Sequence, residues 1–202
     1  MTRLALALCL SLLLSAFSGG TPMLVHRLIV KPESQLFIEG KTNINSFTCA
    51  IRQYCGKDTL VLHEGGKSVR PVFVQGSVGL DASSFDCGLA IMTSDFRKTI
   101  QAGSYPQVVI DFISFERMPA YGKNEERFNG ILKISLTGVT RLFEVPCVIG
   151  GKPDGKIHLI GERSLKFSDF KLVPPTRMMG SIKVQEDLKV KFHLVLALDP
   201  NH

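Results

Sequence analysis

The sequence predicts an all-β antiparallel fold, a sandwich or a barrel, and two observations carry that prediction. In residues 188–198, apolar side chains occupy every second position, while Lys189, Lys191 and His193 lie between them. Side chains alternate across a strand, so this segment has one apolar face and one mainly polar face. Glycine and other turn residues also recur about every ten residues, which is the spacing of a β-sandwich or barrel.

Residues 1–20 have the three-part layout of a secretory signal peptide. Arg3 precedes an apolar run at residues 4–14, and small residues follow that run. The run is too short to span a bilayer well, although an uncleaved anchor is the alternative. We therefore expect a single domain at residues 21–202, in the periplasm or secreted, with a length that fits one substantial core.

Four strands and a helix are predicted in the first half of that domain. The strands lie at residues 24–30, 35–40, 45–51 and 69–80. Pro71 should lie at a strand start or edge, because proline cannot donate a hydrogen bond to a ladder. The helix is predicted over residues 93–102, with Thr93 or Ser94 as its N-cap and Gly103 ending it.

Strands resume after the helix. They are predicted at residues 108–115, 128–136, 142–149, 156–161, 164–172 and 181–184, with residues 188–198 as the last. Asp154 and Gly155 fit the positive φ of a hairpin turn. Antiparallel strands that share an apolar face, without a catalytic constellation, suggest a container for an apolar ligand.

The formal net charge is +6, from 24 Lys and Arg against 18 Asp and Glu. The basic residues are dispersed and do not alternate with aromatic residues, so no nucleic-acid partner is expected. A transient contact with a membrane surface fits the basic balance.

Four of the five cysteines lie in the predicted domain: Cys49, Cys55, Cys87 and Cys147. An even number in an oxidising compartment permits disulfides, and the spacing leaves all three complete pairings open. The histidines are scattered singly along the sequence, so neither a metal nor a cofactor is expected.

The carboxylates form no recognisable pair with a histidine or a nucleophile, so we do not expect an enzyme. Asp111 is unusual because it lies between Ile110 and Phe112 in an apolar strand. A position on the outer face is favoured for it over a catalytic role.

Short motifs run in order along almost the whole of residues 21–202. They lie at residues 34–49, 85–88 (Phe85-Asp86-Cys87-Gly88), 95–100, 105–106, 136–140, 168–170, 174–176 and 180–184. This series resembles the YceI-like, polyisoprenoid-binding family, and in particular its cysteine-bearing branch. The sequence departs from the family pattern at Glu33, where a histidine often stands, and in lacking the frequent early tryptophan.

The resemblance implies a lipocalin-like antiparallel barrel of about eight strands, with a short helix beside it, that encloses a long isoprenoid chain. Apolar residues that share one face of several strands would form its wall. These candidate ligand-binding residues are Leu36, Ile38, Phe47, Val72, Val74, Ile110, Phe112, Leu132, Ile134, Leu136, Phe143, Val145, Val190, Phe192, Leu194 and Leu196. The resemblance also implies a Cys49–Cys87 disulfide, because both cysteines lie in matching motifs, and free buried thiols are the alternative. A Cys55–Cys147 pairing is a weaker second prediction, since Cys147 also fits a small buried hydrophobic residue.

The predicted function is an exported lipid-binding protein that holds a polyisoprenoid, or another long apolar lipid chain, as a carrier or a store. The alternative is an envelope or stress-related interaction module with a filled barrel and no bound lipid. A cavity too small for lipid, together with a large exposed apolar patch, would favour that alternative.

Overall fold

The computed structural model describes residues 24–65, 69–122, 124–151 and 154–200, and the predicted signal peptide at residues 1–20 lies outside this part of the chain. One α-helix, α1 (Ala90–Thr99), and two short 3-10 helices, Ala82–Ser84 and Phe167–Phe170, accompany the described strands. The strands are β1 (Val25–Val30), β2 (Gln35–Thr42), β3 (Ser46–Ile51), β4 (Thr59–His63), β5 (Val72–Gln75), β6 (Ser77–Asp81), β7 (Gln107–Phe115), β8 (Glu126–Leu136), β9 (Val139–Gly151), β10 (Ile157–Lys166), β11 (Thr176–Arg177) and β12 (Ile182–Leu198).

Eight antiparallel strands close into a barrel, which confirms the predicted fold class. They follow one another in the order β1, β4, β5, β7, β8, β9, β10 and β12, and β12 pairs with β1 to complete the ring. The other strands extend this sheet: β2 pairs with β12, β3 with β2, β6 with β7, and the short β11 with β12.

The long strands run through two halves of the barrel. Near one end β12 pairs with β1 through residues 196–198, and toward the other end it pairs with β2 through residues 184–193. We call the half closed by β1, β4 and β5 the lower half, and the half bordered by β2, β3 and β6 the upper half. Strands β7, β8, β9, β10 and β12 contribute to both.

Several strands differ from the sequence prediction, and the two predicted at residues 181–184 and 188–198 form the single strand β12. The sequence does not predict β4, because Leu60, Val61 and Leu62 are all buried and lack the alternation of a strand with one wet face. The two strands predicted at residues 156–161 and 164–172 are a single strand, β10, followed by a 3-10 helix.

The strand predicted at residues 69–80 is broken at Gly76 into β5 and β6. A Cβ atom on Gly76 would lie 2.1 Å from the carbonyl oxygen of Phe112, so this close approach of two backbones requires glycine. Before the break, Phe73 packs against the core. Val72 and Val74 are 46% and 59% exposed. These two valines therefore point out of the barrel, and their predicted place in the ligand wall is corrected.

Helix α1 is present, but its ends differ from the prediction. It begins at Ala90, and the hydroxyl of Thr93 accepts a hydrogen bond from the backbone N–H of Cys87 at 2.9 Å instead of starting the helix. At the other end Gln101, not Gly103, adopts the left-handed conformation, with φ of 51°. Of the helices in the described ranges, none is both long enough and apolar enough to cross a membrane.

Candidate ligand-binding site

Side chains fill the lower half of the barrel. The rings of Phe115 and Phe128 lie 4.7 Å apart between centroids, and those of Phe112 and Phe192 meet edge to face at 5.7 Å. Glycine makes room for such rings, since a Cβ atom on Gly161 would lie 2.2 Å from the ring of Phe192. Interlocked aromatic packing of this kind leaves little space for a ligand.

The upper half is different, because apolar side chains face its interior and yet remain partly exposed. This group comprises Ile38 on β2, Ile134 and Leu136 on β8, and Leu188 and Val190 on β12. Apolar residues that face inward without becoming fully buried border free volume. Two adjoining cavities occupy that volume, and we call them the outer and the inner cavity.

The outer cavity has a volume of about 170 Å³ and lies between the β2–β3 hairpin, α1, β11 and the start of β12. Phe47, Met92 and Val184 give it an apolar wall. Ile44, which is 65% exposed, and Arg177 also line it, so the cavity reaches the surface at the β2–β3 turn.

The inner cavity lies deeper in the upper half and has a volume of about 60 Å³. The predicted residues that line it are Leu36, Ile38, Ile110, Ile134, Leu136 and Val190. Phe96 from α1 and Phe167 from the second 3-10 helix line both cavities, and both are buried. These two rings therefore form the partition between the cavities.

A third void of about 20 Å³ lies where the two halves meet. Leu36 and Ile110 line it from the upper half, and Phe112, Phe192 and Leu194 from the lower half. Its volume is close to the minimum that holds one water molecule. The cavities therefore become smaller from the surface toward the aromatic lower half of the barrel.

A disulfide bond joins Cys49 to Cys87, the pair that the resemblance implies. It connects β3 to the segment before α1, where Ala50 and Asp86 also exchange two backbone hydrogen bonds of 2.8 and 3.0 Å. Because Cys49 lines the outer cavity, the disulfide is part of the cavity wall.

The second predicted pairing is wrong, since Cys55 and Cys147 are both free thiols. Cys55 is exposed, whereas Cys147 is buried in the lower half. Burial raises the pKa of the Cys147 thiol to about 12.

An ion pair lies at the wall of the outer cavity. Arg177 on β11 donates a hydrogen bond to the carboxylate of Asp95 on α1. This hydrogen bond raises the pKa of Arg177 above its ordinary value. The pair therefore links β11 to α1 across one side of an otherwise largely apolar cavity.

The remaining predicted wall residues divide between the two halves. Phe47 lines the outer cavity, and Phe143 packs near Phe170, with ring centroids 6.2 Å apart. Those that lie buried in the lower half or at its boundary are Phe112, Leu132, Val145, Phe192, Leu194 and Leu196. These residues fill the barrel by packing on one another, and their place in a ligand wall stays a prediction.

Several cavity residues were not among the predicted ones. Met92, Phe96 and Ile100 come from α1, and Phe167 and Phe170 from the second 3-10 helix. The helical spacing of Phe96 and Ile100 predicts one docking face, which is the face that covers the cavities. The spacing of Phe167 and Phe170 carries a similar signal, but the apolar run around them predicts a strand.

Among the polar contacts on the outer face of the described barrel, two involve residues that the sequence analysis discussed. Asp111 accepts from Ser77 and lies 3.4 Å from the ammonium of Lys133, which agrees with the outer-face position predicted for it. His158 and His193 approach within 2.7 Å between ring nitrogens on neighbouring strands, although they are distant in the sequence.

No family model matches the sequence, and no curated protein matches it. Solved structures do share its fold. A polyisoprenoid-binding domain from Saccharophagus degradans, implicated in plant cell wall breakdown, superposes with a TM-score of 0.61 at 10% identity, covering 86% of this chain and 98% of that domain. BcnA from Burkholderia cenocepacia gives a TM-score of 0.60 at 17% identity, over 80% of this chain and 95% of its own.

The YceI protein of Campylobacter jejuni is also similar, with a TM-score of 0.50 at 18% identity over 69% of this chain and 80% of its own. At these identities the likeness establishes the fold, so the resemblance to YceI-like proteins is confirmed at the level of the fold.

Proposed function

We propose that this chain is an exported lipid-binding protein that holds an isoprenoid, or a similar apolar chain, in the upper half of its barrel. The apolar chain of the lipid enters through the outer cavity and extends toward the inner one. In this role the protein acts in the periplasm or outside the cell as a carrier or a store. The apolar lipid is its partner, and the protein needs no cofactor or metal.

One observation carries this proposal: the upper half has inward-facing apolar side chains that stay accessible around two adjoining cavities. A barrel without a ligand role is expected to fill its interior, as the lower half does. The apolar walls also suit the ligand class, because each buried isoprene unit would contribute about 3–4 kcal/mol of gross transfer free energy.

The cavity volumes define how the chain must enter. An engineered cavity of about 150 Å³ holds benzene, so the outer cavity accommodates roughly one isoprene unit as it stands. Pockets for larger ligands measure about 300–1,000 Å³. The outer and inner cavities together are still smaller than this range. A longer lipid chain therefore requires the rings of Phe96 and Phe167 to rotate, which joins the two cavities, and the surrounding side chains to move apart. The length of this joined space, more than contact energy, then selects the length of the chain.

The test is a fluorescence titration with retinol, an isoprenoid alcohol. In Val190→Phe the new ring occupies the inner cavity, and we expect retinol affinity to fall about tenfold or more, equivalent to the transfer free energy of roughly two CH₂ groups. Val74→Phe makes the same substitution on the outside of the barrel, where Val74 is 59% exposed, and should bind retinol like the parent protein.

Native mass spectrometry of protein purified gently from membranes should also detect a bound apolar lipid. Equal retinol affinity in Val190→Phe, Val74→Phe and the parent would contradict a site in the upper half. Failure of the parent protein to take up retinol or any extracted lipid would contradict lipid binding altogether.

A second candidate function has its own supporting observation. Val72, Val74 and Ile113 are exposed on the outer surface of β5 and β7. Exposed apolar side chains that lie together often mark a protein-interaction surface, which suits an envelope or stress-related interaction module. In that case the double variant Val72→Ser/Val74→Ser would lose a protein partner, and the parent protein would bind no retinol.

A further inference from the structure

Two turns form one surface at the opening of the outer cavity. We call this surface the rim and define it as residues 41–45, at the β2–β3 turn, and residues 176–183, from β11 to the start of β12. The side chain of Asn43 holds the two turns together: it donates to the carbonyl of Ser181 at 2.8 Å and accepts from the N–H of Lys183 at 2.9 Å. The rim therefore acts as one structural unit.

Large apolar side chains project from the rim into solvent. Ile44 is 65% exposed, Met178 is 72% exposed, and Met179 is fully exposed. Such residues at adjoining tips are unlike single exposed apolar residues scattered over a surface, which need no explanation.

The backbone holds the two methionines outward in an uncommon conformation. Met178 and Met179 have φ of 50° and 54°, followed by Gly180 at 88°. Hydrogen bonds from Gly180 N–H to the Arg177 carbonyl, 3.0 Å, and from Ser181 N–H to the Met178 carbonyl, 3.1 Å, close this left-handed turn. Non-glycine residues rarely adopt positive φ, and such conformations concentrate at functional sites.

The charge of the rim has one sign. Its two segments contain Lys41, Arg177 and Lys183 and no carboxylate. Arg177 is paired with Asp95 of α1, while Lys41 and Lys183 are exposed. Basic residues that surround exposed apolar ones are the pattern of a surface that binds anionic lipid headgroups and inserts side chains between them.

The rim is also continuous with the cavity. Ile44 and Arg177 line the outer cavity and belong to the rim. A flat partner placed against the exposed tips would therefore face the opening through which an apolar chain enters.

We propose that the rim docks on an anionic phospholipid bilayer, with Ile44, Met178 and Met179 in the interfacial layer and Lys41 and Lys183 at the headgroups. This inference rests on the proposed function, because docking here places the outer cavity at the membrane surface, where an apolar chain can transfer without crossing water.

The experiment measures co-sedimentation of the protein with vesicles of phosphatidylcholine and phosphatidylglycerol in equal amounts, compared with phosphatidylcholine alone. We expect Met178→Ser/Met179→Ser to lower the partition coefficient at least about tenfold, from the loss of two inserted apolar side chains. Lys41→Gln/Lys183→Gln should lower it about fivefold for each basic residue on anionic vesicles, and high salt should mimic that loss.

Val72→Ser/Val74→Ser is the matched control, because it removes two exposed apolar side chains away from the rim. All proteins are prepared with the same N-terminus, so any effect of that segment is common to them. Retinol titration in solution, without vesicles, runs in parallel. Retained retinol affinity with lost vesicle binding in the methionine variant supports the proposal.

Three outcomes would overturn it. In the first, the methionine variant and the valine control bind vesicles equally. In the second, the parent protein binds retinol but not anionic vesicles, which leaves the proposed function standing and removes only the docking. In the third, light scattering shows a dimer that the methionine variant dissociates, which would assign the rim to a second copy of the chain.

Discussion

The two halves of this barrel share strands, yet one is filled and the other is not. Strand β8 shows the contrast directly: Leu132 and Leu136 face the same interior, but Leu132 is buried in the lower half and Leu136 borders the inner cavity. The difference comes from what lies across the barrel. In the lower half, phenylalanine rings from the strands meet one another. In the upper half, the apolar strand residues that line the inner cavity are aliphatic, and phenylalanine rings reach it only from the covering helices and the segment before α1.

The halves also close in different ways. Continuous antiparallel pairing of β12 with β1 and of β1 with β4 closes the lower half. In the upper half, a single bridge between Ala50 and Asp86 and the Cys49–Cys87 disulfide connect β3 to the segment that follows β6. The upper half thus depends on a covalent link where the lower half depends on continuous strand pairing.

Removing the disulfide should have the largest effect on stability. The two cysteines are 38 residues apart, and a loop of that length corresponds to about 4 kcal/mol of unfolding free energy in the chain-entropy model. We expect Cys49→Ala/Cys87→Ala to lose most of that amount in urea denaturation. Cys55→Ala, which removes an exposed free thiol, is the control and should unfold like the parent.

Hydrogen exchange on the same double variant tests whether the loss is local. Protection should fall in β3 and α1 and persist in β1 and β4. A uniform loss of protection over both halves would contradict the view that they close independently.

Truncating Leu132 or Leu136 of β8 to alanine should give the next largest effect on stability. Leu132→Ala should cost about 3 kcal/mol, because it leaves a cavity in a close-packed region. Leu136→Ala should cost only about 1 kcal/mol, because that side chain is already partly exposed and borders free volume.

Ligand binding should show the reverse order. Leu136→Ala alters the wall of the inner cavity and should change retinol affinity, whereas Leu132→Ala should leave it within error of the parent. Equal destabilisation by the two substitutions would mean that the halves are packed alike.

The sequence predicts the barrel because the alternation is strong where one face is wet. It predicts the upper-half wall for the same reason: Ile38, Ile134 and Val190 lie on the apolar parity of their strands and do line the inner cavity. The same parity identifies Leu196, which is buried in the filled half. Alternation reports which way a side chain points, and the free space in front of it depends on residues far away in the sequence.

Other errors have local causes. The backbone contact at Gly76 changes which side chains of β5 face inward, and a single glycine in an apolar strand does not signal that event unambiguously. Likewise, His158 and His193 become neighbours only through the register of β10 and β12. Neither relationship can be obtained from spacing along the chain.

Two glycines provide a smaller and closely matched comparison. Gly161 lies opposite Phe192 in the lower half, and Gly40 lies opposite Phe47 at the outer cavity. A Cβ atom would lie 2.2 Å from the ring in the first case and 2.3 Å in the second. The steric conflict is therefore nearly the same in both.

The energetic outcome should nevertheless differ. Gly161→Ala should cost about 2 kcal/mol, because the buried ring of Phe192 has nowhere to move. Gly40→Ala should cost less than about 1 kcal/mol, because Phe47 is half-buried and can turn into the outer cavity. Urea denaturation measures the change in unfolding free energy for both variants. A larger loss of stability for Gly40→Ala would show that the upper half, not the lower half, is the more rigidly packed.

Thiol alkylation tests the comparison without changing stability. Cys147 is buried in the lower half and its pKa is raised to about 12. At pH 8 the thiolate, which is the reactive form, is therefore scarce as well as inaccessible. We expect iodoacetamide to modify Cys55 readily in the native protein and Cys147 only when the protein unfolds, with or without retinol. Peptide mapping then identifies which cysteine is modified. Rapid native modification of Cys147 would show that the lower half opens, and the aromatic rings would then not limit how deep a ligand reaches.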